Sequence, residues 1–319
     1  MRAIVYAAGG GIEVLELRDV PAPEPGPHQV RVRVAAAGLN RADILQRRGS
    51  YPAPPGWPAD IGGLEYAGTV ESLGRGATRW DVGDRVMGLV GGGAHAEAVV
   101  VHQDEAFEIP ASLSFVEAAA IPEAWLTAYD ALVTRGRMQR GDRILIHAVG
   151  SGVGTAATQL VRHFGGTSIG TSRQAAKLAR AREFALDTGI DTSGGSFRDQ
   201  VTEPVQVILD VLGGPAFADN LALLAPLGRL VQLGHLQGSD TATSLAPILR
   251  KRLTIVGSVM RTRSLEERIN LVAEFSTQVL PFFPPFRAVV GDVRPMARIA
   301  EAHTAMERDE TFGKTVLTW

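Results

Sequence analysis

Across residues 143–260 short, nearly uninterrupted apolar runs alternate with helical stretches, and no other feature constrains the fold of this chain as much. RILIHAV runs into a helix over 152–164. TSIGTS precedes a helix over 174–185. VQVILDV, a helix over 217–224, RLVQLG and LTIVGSVM follow. Strands apolar on both faces and joined by helices build a parallel sheet covered on both sides. The expected class is α/β, with a doubly wound parallel sheet.

The first hundred residues read differently. Val30, Val32 and Val34 alternate with Gln29, Arg31 and Arg33, the period of a half-buried strand. Further strands are expected over 65–73, 84–90 and 94–101, giving a compact β-rich unit. Its helix over 40–48 opens with Asn40 and, three residues on, Asp43, a variant of the capping box. The prolines of GSYPAPPGWP (49–58) restrict the backbone and predict an ordered, stiff loop. Ser114 and Glu117 make a second capping box, and Pro122 suits the first turn of a helix carrying residues 125–133. After Arg263 come a long amphipathic helix over 264–280, a strand over 286–291, another helix and a strand over 314–319. These are expected to rejoin the β-rich unit, so that 1–118 and 263–319 form one domain around a central domain at 119–262.

Composition removes several chemistries. The 319 residues include no cysteine, which excludes disulfides, thiolate nucleophiles, iron–sulfur clusters and Cys-ligated zinc. The seven histidines, at 28, 95, 102, 147, 163, 235 and 303, lack the close pairing of a zinc protease helix, so no metal site is expected. A net charge of -2 offers no overall attraction to nucleic acid or anionic lipid. Glu13 and Glu16 interrupt the N-terminal segment, no run reaches the ~18 apolar residues of a membrane span, and a cytoplasmic location is expected.

The first apolar strand of the central domain runs into His-Ala-Val-Gly-Ser-Gly-Val-Gly-Thr155 and a helix, the context of a dinucleotide-binding turn. Small residues at Ser151, Gly152 and Gly154 let the backbone approach a pyrophosphate, and the helix N-terminus supplies N–H groups and partial positive charge. The spacing departs from G-x-G-x-x-G, and a tight strand-to-helix turn with no ligand is the plainer alternative. NAD enzymes place an acid at the end of the second strand, about 20 residues on. Here that segment is GTSRQAAK, without an acid. Ser172 can hydrogen-bond a 2′-phosphate and Arg173 and Lys177 can neutralise it, so NADPH is the expected cofactor. The same two basic residues also suit a solvated helix face.

The strings AAAGLNRADILQRRGSYPAPPG, GGLEYAGTVESLG, IPEAWLTAYDAL, HAVGSGVGTAATQL, ILDVLGG and GKTVL, colinear along the whole chain, resemble the zinc-free, zeta-crystallin-like quinone oxidoreductases of the medium-chain dehydrogenase/reductase superfamily. NRAD-x-x-QR-x-G-x-Y and IPEAWLTA most resemble the tumour-suppressor-inducible members. The resemblance implies a GroES-like domain from both chain ends, a Rossmann domain between, NADPH in the cleft, and a homodimer built by edge pairing of two Rossmann sheets. The superfamily's zinc enzymes carry a Cys ligand where Asn40 stands and a His where Leu64 stands, so the implied chemistry is zinc-independent.

By the same resemblance Asn40 and Tyr51 lie beside the nicotinamide, as the catalytic pair, with Tyr51 and Thr127 near its ribose. Ser151, Gly152, Val153 and Gly154 meet the pyrophosphate, and Ser172, Arg173 and Lys177 the adenosine phosphate. Gly234, His235, Met260, Arg261 and Thr262 border the nicotinamide end. Asn40 is equally suited to capping its helix, Tyr51 to bracing the proline loop and His235 to an ordinary loop position. Many members carry a tyrosine after the third Rossmann strand, where this chain has Thr192. The implied activity is electron transfer from NADPH to a small-molecule quinone, without membrane or nucleic-acid partners. Reduction of enones or alkenals is the alternative reaction, and a non-catalytic NADPH- or RNA-binding protein the alternative of another class.

Overall fold

The computed structural model describes residues 1–6 and 9–319. The chain forms two compact units, Met1–Leu126 with Arg261–Trp319, and Thr127–Met260.

The first unit begins with β1 (Arg2–Tyr6) and β2 (Leu15–Asp19), an antiparallel pair. Then come β3 (Gln29–Leu39), α1 (Arg41–Arg47), β4 (Glu65–Leu73), β5 (Arg85–Leu89), β6 (Ala98–His102), β7 (Ala106–Glu108), α2 (Phe115–Ala118) and α3 (Pro122–Tyr129), which runs across the unit boundary. Val30, Val32 and Val34 of β3 are buried and Arg33 is exposed, as the alternation requires. Both expected capping boxes form: Asn40 with Asp43 starts α1, and Ser114 with Glu117 starts α2. The proline loop is irregular, closed by a turn from Trp57 N–H to Pro54 O, and Trp57 packs on the core.

The second unit holds β8 (Arg143–Ile146), α4 (Gly152–His163), β9 (Thr167–Ser172), α5 (Ala175–Arg182), β10 (Thr188–Asp191), β11 (Val205–Asp210), α6 (Ala216–Leu223), β12 (Leu224–Gln232), α7 (Ala246–Lys251) and β13 (Thr254–Gly257). All six strands are parallel, in the order β10-β9-β8-β11-β12-β13. The order runs outward in both directions from β8 and β11, which is the dinucleotide-binding arrangement whose switch point lies between those two strands. Leu145, Ile169, Ile190, Ile208 and Leu230 pack together in the core of this unit.

The chain then returns to the first unit as α8 (Leu265–Gln278), β14 (Val290–Pro295), α9 (Ile299–Glu307) and β15 (Lys314–Thr318). β15 pairs antiparallel with β3 and parallel with β14, giving the sheet order β14-β15-β3-β4-β5-β7 with β6 also on β3.

Several boundaries differ from the sequence expectation. β8 stops at Ile146 because the chain turns through Ala148, whose φ is 51°. Residues 94–97 precede β6 outside any named strand. α5 ends at Arg182, three residues early, and a positive φ at Ala185 starts the approach to β10. β10 has no apolar run to announce it, since only Ile190 of its four residues is buried at this sheet edge. The strand expected over 286–291 forms instead at Val290–Pro295, where burial alternates and Val293 faces solvent.

His303 on α9 is fully buried, with Nδ1 3.3 Å from an Nη of Arg47. Burial, with His95 and Arg47 nearby, pushes its pKa down to about 3. An unfolded histidine titrates near 6.5. Below that pH the unfolded chain takes up a proton that the folded chain refuses, so stability is full above about pH 6.5 and falls on acidification. His303→Gln is expected to remove about 2 kcal/mol of the stability lost between pH 6.5 and 5, read from denaturant unfolding at a series of pH values. A parent and variant with parallel curves would refute the neutral buried histidine.

Candidate functional site

The carboxyl ends of the parallel strands carry most of the expected nucleotide residues. Ser151 caps α4, its hydroxyl accepting from Gly154 N–H at 3.1 Å. Gly154 is required there, because a Cβ would lie 2.5 Å from the carbonyl oxygen of Val149. Gly152 and Val153 form the first turn of this twelve-residue helix, half-buried, where N–H groups lack intrahelical acceptors. Ser172 ends β9 and accepts from Gln174 N–H at 3.1 Å; Arg173 is exposed and Lys177 half-buried on the adjoining helix. Gly234 and His235 follow β12, His235 exposed, and Met260 lies beyond β13, buried. Thr127 is buried on α3, away from these strand ends in sequence and element. A dinucleotide fits this donor set: a close-packed glycine turn, a capped helix N-terminus and cationic side chains one strand away.

Sequence reasoning missed two features here. The register sets Asp191 of β10 level with Ser172, although its carboxylate turns onto Ser193, whose side chain first and backbone N–H (2.8 Å) second hold its pKa down. Beneath the strand ends lies a buried relay. His147 contacts Thr171 Oγ1 at 3.0 Å and Asn220 Oδ1 at 2.8 Å; Asn220 donates to Asp210 Oδ2 at 3.0 Å; Asp210 Oδ1 accepts from Leu212 and Gly213 N–H. Burial lowers the His147 pKa, so the ring is neutral. The relay ties the ends of β8, β9 and β11 together. Its only sequence signal was a histidine and an aspartate closing two apolar runs.

In the first unit, Asn40 is the N-cap of α1 and its amide faces a buried ion pair. Asn40 Oδ1 accepts from Lys314 Nζ at 2.5 Å, and Nδ2 donates to Glu65 Oε1 at 2.9 Å. Lys314 Nζ lies 2.5 Å from Glu65 Oε1 and donates to Leu39 O at 3.0 Å. Glu65 Oε2 accepts from Glu123 N–H at the start of α3 at 2.8 Å. Gly38 admits the cluster, since a Cβ would lie 2.2 Å from Glu65 Oε1. Asp43 accepts from Asn40 N–H and Gly63 N–H. His95 is fully buried nearby, and burial lowers its pKa against the pull of Asp43 and Glu65. Glu65 and Lys314 were not singled out from the sequence. Both stand in strings that carry the family resemblance, and Lys314 is one of only three lysines.

Tyr51, half-buried in the proline loop, stacks over the guanidinium of Arg261 with 4.7 Å from Cζ to the ring centroid. Burial raises its phenol pKa, so the hydroxyl is protonated and can donate. Arg261 is buried and directs its N–H groups at Gly91 O, Tyr51 O and Gln46 Oε1, all in the first unit, while Thr262 beside it is exposed.

Strand order and the glycine turn define the second unit as a Rossmann-type, doubly wound parallel sheet. Residues 26–111 match the family model of the alcohol dehydrogenase GroES-like domain, and residues 152–276 that of zinc-binding dehydrogenase. A quinone oxidoreductase of Pseudomonas aeruginosa is 34% identical over 99% of both chains. A mycobacterial protein solved in complex with NADPH superposes with a TM-score of 0.88 at 29% identity, covering all of both chains. The CurK enoyl reductase superposes with a TM-score of 0.86 at 25% identity, covering 99% of this chain and 98% of that one. The chain belongs to the medium-chain dehydrogenase/reductase superfamily and is an oxidoreductase of the quinone and enoyl reductase kind.

Removing one partner of a buried ion pair leaves an uncompensated charge. Lys314→Met is therefore expected to destabilise the first unit by about 3–5 kcal/mol in guanidinium unfolding at pH 7, and adding Glu65→Gln to restore part of the loss. A single variant as stable as the parent would show that the pair does not hold these strands.

Proposed function

We propose that this protein is an NADPH-dependent, zinc-independent quinone oxidoreductase. The observation that carries the reading is the end of β9, where Ser172 is followed by Arg173 and Lys177 with no acid in the segment, in a chain aligned end to end with a quinone oxidoreductase. Ser172, Arg173 and Lys177 would hold the 2′-phosphate, and Ser151, Gly152, Val153 and Gly154 the pyrophosphate at the α4 N-terminus. Thr127, Gly234, His235, Met260, Arg261 and Thr262 are assigned to the nicotinamide end by family resemblance.

Bound nicotinamide supplies the electrons, and the chain supplies position. Asn40, fixed at both ends of its amide by Lys314 and Glu65, offers a rigid polar surface, and Tyr51 offers a phenol hydroxyl to an acceptor oxygen. Holding reacting atoms at about 3–3.5 Å provides most of the rate for an acceptor already electron-poor. Zinc-independence is supported by the donor chemistry: Asn40 Oδ1 and Glu65 Oε1 hold the Lys314 ammonium, Leu64 has no donor atom, and the chain has no cysteine. No helix among the described residues is long and apolar enough to cross a membrane, which fits a cytoplasmic enzyme acting on a small molecule.

The similarity to an enoyl reductase favours a second reading, reduction of the C=C bond of an enone or alkenal. Anaerobic turnover with NADPH and 1,4-benzoquinone or 9,10-phenanthrenequinone tests the first, and product analysis on an enone separates the two, a quinol against a saturated ketone. NADPH is expected to bind more tightly than NADH, and Arg173→Ala with Lys177→Ala to shrink that preference about tenfold or more, through lost charge-assisted hydrogen bonds. Equal affinities in the parent would refute the phosphate assignment, and no oxidation of NADPH by any quinone the main reading.

Homodimer formation belongs to the same proposal. β13 is an edge of the parallel sheet, and Leu245, Leu249, Ile255 and Val259 around it are exposed. A second copy paired along this edge would cover them. Sedimentation is expected to give twice 33.9 kDa for the parent and the single mass for Leu249→Glu combined with Ile255→Lys. A parent sedimenting as a monomer would overturn the dimer.

A further inference from the structure

Arg261 opens the segment in which the chain returns to the first unit, and its side chain is turned into that unit with the residue 7% exposed. Three N–H groups are directed at uncharged acceptors: Nε at Gly91 O, 2.8 Å; Nη1 at Tyr51 O, 2.8 Å; Nη2 at Gln46 Oε1, 2.6 Å. No carboxylate among the described residues forms an ion pair with it. Asp43 and Glu123 act on the charge only from a distance, and a buried cation without a direct ion pair is a poor way to gain stability, because its desolvation is incompletely offset. A neutral donor would cross-link the same carbonyls more cheaply. The positive charge and planar fork have one further contact, the ring of Tyr51 stacked on the guanidinium at 4.7 Å. Stacking while donating in the ring plane is a property of arginine that lysine does not share.

Tyr51 is thus gripped twice by one side chain, at its carbonyl oxygen and at its ring. The guanidinium is itself braced by Gln46 on α1 and by Gly91 beyond β5, against which Trp57 of the proline loop also packs. No described residue hydrogen-bonds the phenol hydroxyl of this half-buried tyrosine, so it is open to solvent or to a bound molecule.

We propose that Arg261 is a positioning residue that fixes the backbone and ring of Tyr51 so that the phenol hydroxyl is presented in one orientation to the carbonyl oxygen of a conjugated acceptor. This rests on the quinone oxidoreductase reading for the identity of the acceptor, while the grip itself is independent of it. Arg261 then acts through Tyr51 rather than on the reacting atoms.

Two measurements test it. In nucleotide-free protein, hydrogen exchange over residues 50–57 is expected to be about tenfold faster in Arg261→Gln than in the parent, with Arg261→Lys in between and exchange over 143–172 unchanged. Equal exchange in the loop would overturn the proposal. In the second, kcat/KM for 1,4-benzoquinone is measured across Arg261→Gln, Tyr51→Ala and the double variant. Arg261→Gln is expected to lower it about tenfold in the parent background and less than about twofold once Tyr51 is alanine, since residues that act as one unit are not additive. The same fold-loss in both backgrounds would show that Arg261 acts by some route other than Tyr51. A parent that does not turn over quinone would defeat the reading of the previous subsection, and the exchange measurement would still decide the grip.

Discussion

The first unit is organised around one saturated carboxylate. Glu65 on β4 receives Lys314 from β15, the Asn40 amide from the end of β3 and the leading N–H of α3. A carboxylate left in that position without partners would be strongly destabilising, so the elements that bring those donors are mutually dependent. The pairing of β15 on β3, with Thr315 opposite Leu39, delivers Lys314 to the chain just before α1. Sheet register and polar satisfaction therefore impose the same constraint, and Asn40 inherits a single orientation from it.

The second unit solves a similar problem differently. Parallel strands end with polar groups clustered at their carboxyl edge, where no further strand residue can satisfy them. Here the Thr171–His147–Asn220–Asp210 relay closes that edge, while Ser151 caps α4 and Ser172 accepts from Gln174 N–H. A neutral histidine serves because each ring nitrogen can meet one partner, one donating and one accepting.

Much of this was legible in the sequence. Alternating apolar runs with intervening helices specify a covered parallel sheet, and the glycine turn, the Ser114 and Asn40 capping boxes and the Val30–Val34 alternation are local codes that the fold keeps. What failed was also local. β10 lies at a sheet edge with one buried residue, so it gives no hydrophobic signal, and the strand at 290–295 forms where pairing with β15 is available rather than where the run of apolar residues is densest. Asn40 could be read as a cap or as a site residue; the folded chain makes it a cap whose side chain is also held by Lys314 and Glu65.

By itself the sequence determined the fold class, the glycine turn before α4 and the family, because periodicity, glycine spacing and colinear strings are encoded over short distances along the chain. Tertiary structure alone decided that Lys314 reaches Asn40 across 274 positions, that Asp191 stands level with Ser172, and that Arg261 grips Tyr51 instead of a carboxylate. Those pairings depend on strand register and loop closure, which bring together residues that carry no mark of one another in the sequence.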